Sequence, residues 1–257
     1  QDAGIVMVSA YAVHPDVVNA GKYIFSQSFP GSVQATAAAT FAVEKLGAQR
    51  IAIVAVDLDF GKEQSAYFKA KATELGAEIV SEDYIAMSDN DMTSVISKIK
   101  GENVDLIYIP NYYAHASEVC RQVALQGLDV DILGCEGADS WQLLQTAGEY
   151  AEGLYITTNM DRDDPNESTQ AYIQNYREEY NMEPDMVGAS VYDAFEVLFA
   201  AMKEVGTDSD AMQEYIANMK DFNTVTGTLM YYTSAGSAVK PVQIQKVGED
   251  LPRKSTG

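Results

Sequence analysis

Two carboxylates in the stretch LGCEGADSW (residues 133–141) have the type and spacing to do chemistry. A short apolar run ends at Gly134. Glu136 follows between Cys135 and Gly137, and Asp139 comes three residues later. Glycines around an acid at the end of a strand suggest a site, and three uses fit it: acid–base work, metal binding, or holding a positive charge. A pair of acids can act as acid and base when their surroundings separate their pKa values. Asp139 is also placed to cap a helix over DSWQLLQ, which is its favoured reading. The rest of the chain supplies few partners for catalysis. His14 and His115 are the only histidines and lie far apart in the chain, too few for a zinc centre or a His-based nucleophile system. Cys120 and Cys135 match no CxxC or zinc spacing and read as free, mostly buried thiols. DRDDPNES (161–168) lacks the glycine and closing glutamate of a calcium loop and reads as a turn and helix cap. No GxGxxG or GxxxxGK[ST] occurs, and Ser9 and Ser140 lack a GxSxG setting. No metal or cofactor is expected, and an enzyme is not the favoured reading.

Totals narrow the field further. The 257 residues suffice for one large or two small domains. The apolar share of 47% is ordinary for a globular protein, but the net charge of -21 is not. Such a surface repels nucleic acid and anionic membranes, which are bound through basic residues. The apolar runs fall short of the roughly 20 residues a membrane span needs, and no charged-then-apolar secretion signal opens the chain.

The elements that must position the acids form a repeating series from residue 50. RIAIVAV (50–56), AEIVSEDYI (77–85), VDLIYIP (104–110), VDILG (130–134) and GLYITTNM (153–160) read as strands. GKEQSAYFKAKATELG (61–76), SDNDMTSVISKIKG (88–101), ASEVCRQVALQG (116–127) and DSWQLLQTAG (139–148) read as the helices between them. This alternation predicts a doubly wound α/β sheet with right-handed crossovers, whose ligands bind beyond the carboxyl ends of the strands. The loops there are DLDFG (57–61), NYYAH (111–115) and CEGADS (135–140). Three helices in succession are predicted over 168–181, 184–206 and 208–222, followed by strands at 226–232 and 240–247. GIVMVS (4–9) and YIFSQSFP (23–30) read as strands before the series. A sheet of so few strands is too thin to cover three helices.

In this order, GIVMVSAYAVHPDV, LGAQRIAIVAVDLDFGKE, DLIYIPNYYAHASEVCRQVALQG, DILGCEGADS, AEGLYITTNM and TVTGTLMYY…VKPVQIQKV resemble the type I periplasmic binding proteins of ABC transporters, in the branched-chain amino acid (leucine/isoleucine/valine) family. The resemblance implies the type I periplasmic-binding-protein fold, with doubly wound parallel sheets in two lobes. It implies that the first lobe is incomplete here, because family members open with further strand–helix units. On that reading residues 1–30 and 159–238 are a remnant of the first lobe, and 31–158 with 239–257 form the second. The chain would cross between lobes at YIFSQSFP, GLYITTNM and KPVQIQKV, and such lobes close on ligand by hinge motion.

The resemblance also implies roles. Glu136 stands where the family's carboxylate binds the ligand's α-ammonium. Tyr112 matches an aromatic that touches ligand, and Phe60 stands where a tyrosine is common, so a hydroxyl is lost. Tyr11, Ala12 and Val13 match the loop that holds the ligand's carboxylate, with Val13 in place of a common threonine. Asp139 is carried as a secondary contact. The implied function is capture of an amino acid for an ABC importer, outside the cytoplasm, with permease subunits as partners. Apolar surface on the incomplete lobe would favour a homodimer or a swap. A sensing domain of the same fold, or a hydrolase using Glu136 with Asp139, are the alternatives.

Overall fold

The computed structural model describes residues 1–248. They fall into two compact units, one of residues 1–30 with 159–243 and one of 31–158 with the chain from 244 onward. The last division lies a few residues after the expected 238/239. The reason is local: Ala238 and Val239 pair with Tyr232 and Tyr231, and Lys240 is buried in the first unit.

The chain opens with β1 (Met7–Ser9), α1 (Pro15–Asn19) and β2 (Ile24–Ser26). The second unit then follows as α2 (Gly31–Glu44), β3 (Arg50–Val56), α3 (Asp59–Glu74), β4 (Glu78–Ile85), α4 (Thr93–Lys100), β5 (Leu106–Ile109), α5 (Tyr113–Leu125), β6 (Asp131–Gly134), α6 (Trp141–Ala147) and β7 (Tyr155–Thr158). The chain returns to the first unit through α7 (Glu167–Tyr180), α8 (Met186–Val205), α9 (Ser209–Ala217), β8 (Lys220–Thr224), β9 (Gly227–Tyr232) and β10 (Ala238–Val239). The strand β11 (Gln243–Lys246) closes the described chain.

Among the described residues the second unit holds a six-stranded sheet in the order β11-β7-β6-β5-β3-β4, with β4, β3, β5, β6 and β7 pairing in parallel. Period-2 alternation along β3 feeds two cores. Ile51, Ile53 and Ala55 pack with Ala35, Ala38, Ala39 and Ala42 of α2 and Phe68 of α3, whereas Ala52 and Val54 join Ile96, Ile99, Val119 and Leu143 of α4–α6. The sheet is therefore doubly wound, as the alternating pattern predicts. The chain steps from β3 outward to β4 and then back to β5, so its direction reverses between β3 and β5. That is the topological switch point, where open α/β sheets bind ligand.

The first unit is built differently. Among the described residues β1 and β2 form a two-stranded parallel pair, and β8, β9 and β10 an antiparallel sheet. The helix expected to run to 222 stops at Ala217, because Lys220–Thr224 is an antiparallel partner of β9. Near the middle of α8, Asp193 is fully buried. Its Oδ1 accepts the Val225 N–H (2.9 Å), and its Oδ2 accepts the Lys240 ammonium (2.8 Å) and the Thr226 hydroxyl. Lys240 also donates to Thr226 Oγ1 (2.7 Å). The opposite face of α8 exposes Val187, Val191, Phe195, Phe199 and Met202 at three- and four-residue spacing. The helix is thus apolar on both faces, one buried in the unit and one exposed.

Candidate functional site

Glu136, Phe60 and Tyr112 lie on the segments that follow β6, β3 and β5, at the carboxyl edge beside the switch point. Phe60 is the second residue of α3, in its first turn. The next residue, Gly61, sits so close to the end of β3 that a Cβ there would collide with the Val56 carbonyl oxygen. Glycine thus lets the helix start directly above the strand and fixes where Phe60 emerges. Tyr112 is the residue before α5, and its ring stacks on Phe60 with centroids 5.4 Å apart and planes 24° apart. Tyr113 points outward and is exposed. Two of the aromatic residues named from sequence are therefore brought together as one apolar wall.

Glu136 opens a short 3₁₀ turn, Glu136–Ala138. Here too a glycine is needed, since a Cβ at Gly137 would lie 2.6 Å from the Asn111 carbonyl oxygen. The Glu136 side chain is buried, at 3% exposure, and its Oε2 has no hydrogen-bond partner among the described residues. Burial pushes its carboxyl up to about 7, against the opposing pull of its own backbone amide and of the Gln34 and Cys135 side chains. The charge of Glu63 on α3 pushes it in the same direction as burial. Burial likewise raises the Tyr112 hydroxyl and the Cys135 thiol, with the negative charge of Glu136 adding to each. Both cysteines are free and buried, so neither offers a reactive thiolate.

A buried asparagine ties these segments together. Asn111 Nδ2 donates to the Val54 carbonyl (2.6 Å), its Oδ1 pairs with His115 Nδ1 (3.1 Å), and its backbone carbonyl accepts the Cys135 thiol (3.6 Å). One residue thereby links the ends of β3, β5 and β6. Asn111 is in the quoted motif, but its role has no local signature. The same holds for Gln34, a buried amide in an alanine-rich helix.

Asp139 does not cap α6. That cap is Ser140, whose Oγ accepts the Gln142 N–H (3.2 Å). Asp139 is buried instead, and its Oδ2 accepts the Thr158 hydroxyl at 2.5 Å, which ties the turn to the end of β7. The one-residue difference arises because the 3₁₀ turn carries Asp139 into the interior before the helix begins. Tyr11, Ala12 and Val13 belong to the first unit, in the loop between β1 and α1. The Ala12 N–H is donated to Ser9 Oγ (3.2 Å), and its carbonyl accepts the Ser26 hydroxyl (2.7 Å). Tyr11 packs against the cluster of Met160, Tyr172 and Ile173. Among the described residues no three His, Cys, Asp or Glu side chains gather as metal ligands.

The second-unit arrangement is an apolar wall beside a buried acid with an open oxygen. It suits a small ligand with a cationic head and an apolar body. A family model described as periplasmic binding protein matches residues 1–252. The Leu/Ile/Val-binding protein of Citrobacter freundii is 30% identical over 158 residues, covering 61% of this chain and 43% of that protein. The Leu/Ile/Val-binding protein homolog 3 of Brucella melitensis is 25% identical over 231 residues, covering 89% of this chain and 62% of that one. The chain therefore spans less than half the length of the Citrobacter relative. Among solved structures, the leucine binding protein LivK from Thermotoga maritima superposes with a TM-score of 0.86 at 29% identity, over 96% of this chain and 71% of that one. The branched-chain amino acid transporter substrate binding protein LivJ from Streptococcus pneumoniae, in complex with isoleucine, gives 0.87 at 25%, over 96% and 70%. With a motif order, a sheet topology and a family model in agreement, the chain belongs to the periplasmic binding proteins.

Proposed function

We propose that this chain is the ligand-binding part of a solute-binding protein of an ABC importer, and that it captures an amino acid with an aliphatic side chain. The observation that carries the reading is Glu136: buried, with an oxygen unpartnered among the described residues, beside the Phe60–Tyr112 wall. An α-ammonium supplies the missing cation through a charge-assisted hydrogen bond. The aromatic pair offers apolar surface to the side chain. Phe60 does this without a hydroxyl, so discrimination there rests on shape. The names of the relatives, which bind leucine, isoleucine and valine, support the same ligand class. Tyr11, Ala12 and Val13 are the first unit's candidates for the ligand carboxylate. The Ala12 N–H is already donated to Ser9, so any such role falls first on its neighbours in the loop. Asp139 is proposed as a support for the turn, through Thr158, and not as a direct contact.

Permease subunits are the proposed partners, and the proposed location is outside the cytoplasm. The exposed stripe on α8 supports association through the first unit. A strictly monomeric species in sedimentation at rising concentration would remove that part.

Calorimetry tests the ligand. Leucine, isoleucine or valine is expected to bind, and 4-methylpentanoate, which lacks the ammonium, is expected not to. Glu136→Ala should weaken binding by about 2–5 kcal/mol. Equal binding of the deaminated analogue, or unchanged affinity in Glu136→Ala, defeats the proposal.

A further inference from the structure

We infer that Gln34 is a positioning residue for the Glu136 carboxylate, the last link of a buried chain of side chains, Tyr108–Gln64–Gln34, that presents an N–H donor to the acid. All four groups are buried: Tyr108 and Gln34 at 0% exposure, Gln64 at 1% and Glu136 at 3%. The direction of the chain follows from its hydrogen bonds. The Tyr108 hydroxyl donates to Gln64 Oε1 (3.3 Å), which leaves the Gln64 amide nitrogen as the other end. That nitrogen donates to Gln34 Oε1 (3.0 Å). With its carbonyl occupied, Gln34 has only its amide nitrogen left to offer, and this Nε2 is buried with no partner among the described residues. Glu136 Oε2 is likewise without a partner among the described residues, and because a carboxylate oxygen accepts more than one hydrogen bond, a donor from Gln34 leaves a lone pair for an ammonium. An amide nitrogen donates and a carboxylate accepts, so the two unmet needs match. The Gln34 side chain is also one of the groups that favour the charged form of Glu136.

The chain is rooted in rigid parts. Tyr108 stacks on Phe68 with centroids 3.9 Å apart and planes 9° apart. Gln34 sits among Ala35, Ala38 and Ala39, where an apolar residue would be easier to bury. A buried amide at such a place needs a partner. The other titratable groups that act on Glu136 or feel its charge are Glu63 on α3, Cys135 beside it, Tyr108 on β5 and Tyr112 after β5. The consequence for ligand choice rests on the reading of Glu136 as ammonium holder. The consequence for the carboxylate itself does not.

Two substitutions separate the cases. Gln34→Met keeps the length and removes the amide. Tyr108→Phe keeps the stack on Phe68 and removes the hydroxyl. The first readout is the Glu136 titration in protein labelled with ¹³C-glutamate, assigned with Glu136→Gln. The second is leucine affinity by calorimetry between about pH 6 and pH 9. Gln34→Met should raise the Glu136 midpoint by about one pH unit and weaken leucine about tenfold at the acid end, and less at the alkaline end. Tyr108→Phe should act in the same direction and less. If Gln34→Met does not fold, Tyr108→Phe carries the test alone. An unmoved Glu136 midpoint in a folded variant overturns the inference. So does an equal loss of affinity at every pH, which is what a merely structural role would give. A shifted midpoint in a protein that binds no amino acid keeps the positioning role and defeats the proposed function instead.

Discussion

Two of the buried carboxylates, Asp193 in the first unit and Glu136 in the second, are treated in opposite ways. Asp193 meets a lysine ammonium, a hydroxyl and a backbone N–H, and both it and Lys240 are shut away from solvent. Glu136 is nearly as buried, yet among the described residues one oxygen has no partner and no lysine or arginine acts on the acid. Burial disfavours charge at both places. In the first unit the chain provides the cation, and the acid becomes part of the core. In the second the described residues provide none, and burial holds the acid's carboxyl up at about 7. Burial alone therefore does not distinguish a structural acid from the one proposed to bind ligand. The completeness of its set of partners does.

The largest effect should come from breaking the complete set. Lys240→Met strands Asp193 and is expected to cost about 3–5 kcal/mol in denaturant unfolding. Replacing Asp193 by leucine as well should recover most of that loss. A Lys240→Met protein as stable as the wild type would remove the contrast.

The pH dependence of stability reads the incomplete set. The folded Glu136 carboxyl is raised above its usual range, so the folded chain keeps a proton that the unfolded chain releases. Stability is then at its fullest below the ordinary carboxylate range and falls as the pH climbs to about 7, by about 3 kcal/mol in all. Glu136→Gln should abolish that slope, leaving the variant more stable than the wild type above pH 7 and little changed in acid. The half-buried Glu196 is also pushed up to about 7 and adds a weaker slope of the same sign. The difference between the two proteins, not either curve alone, isolates Glu136. A saturating amino acid should flatten the wild-type curve, because its ammonium supplies the cation.

The smallest effect sharpens the contrast within the site. Ser140→Ala removes the cap of α6 and should cost about 1 kcal/mol of stability. Amino acid affinity should hold, since Glu136 is placed by the turn before the helix. A matching loss of affinity would mean that α6 helps to hold the acid.

The second unit was largely legible in its sequence. Runs such as RIAIVAV and DLIYIP are apolar, short and bounded by turn residues, and the strand ends that place Phe60, Tyr112 and Glu136 follow from them. The Ala-rich segment of α2 carries no helix signal in sequence, because alanines give little contrast between its faces. The helix predicted to 222 ran too far because MKDFNT carries no glycine or proline to mark where α9 stops and β8 begins. Asp139 has the sequence setting of a cap because cap chemistry is local, whereas its partner Thr158 lies nineteen positions on. Asp193 with Lys240, and Gln34 with Gln64, escaped for the same reason: each residue alone is an ordinary polar side chain, and only the tertiary fold brings its partner to it.

The Asn111 linkage has a consequence for the thermodynamics of capture. Because one residue, through its side chain and its backbone carbonyl, fastens the ends of β3, β5 and β6 to each other, the segments bearing Phe60, Tyr112 and Glu136 lose conformational freedom when the unit folds. That entropy is already gone when a ligand arrives, so on this side of the molecule association has only the ligand's own motion to restrict.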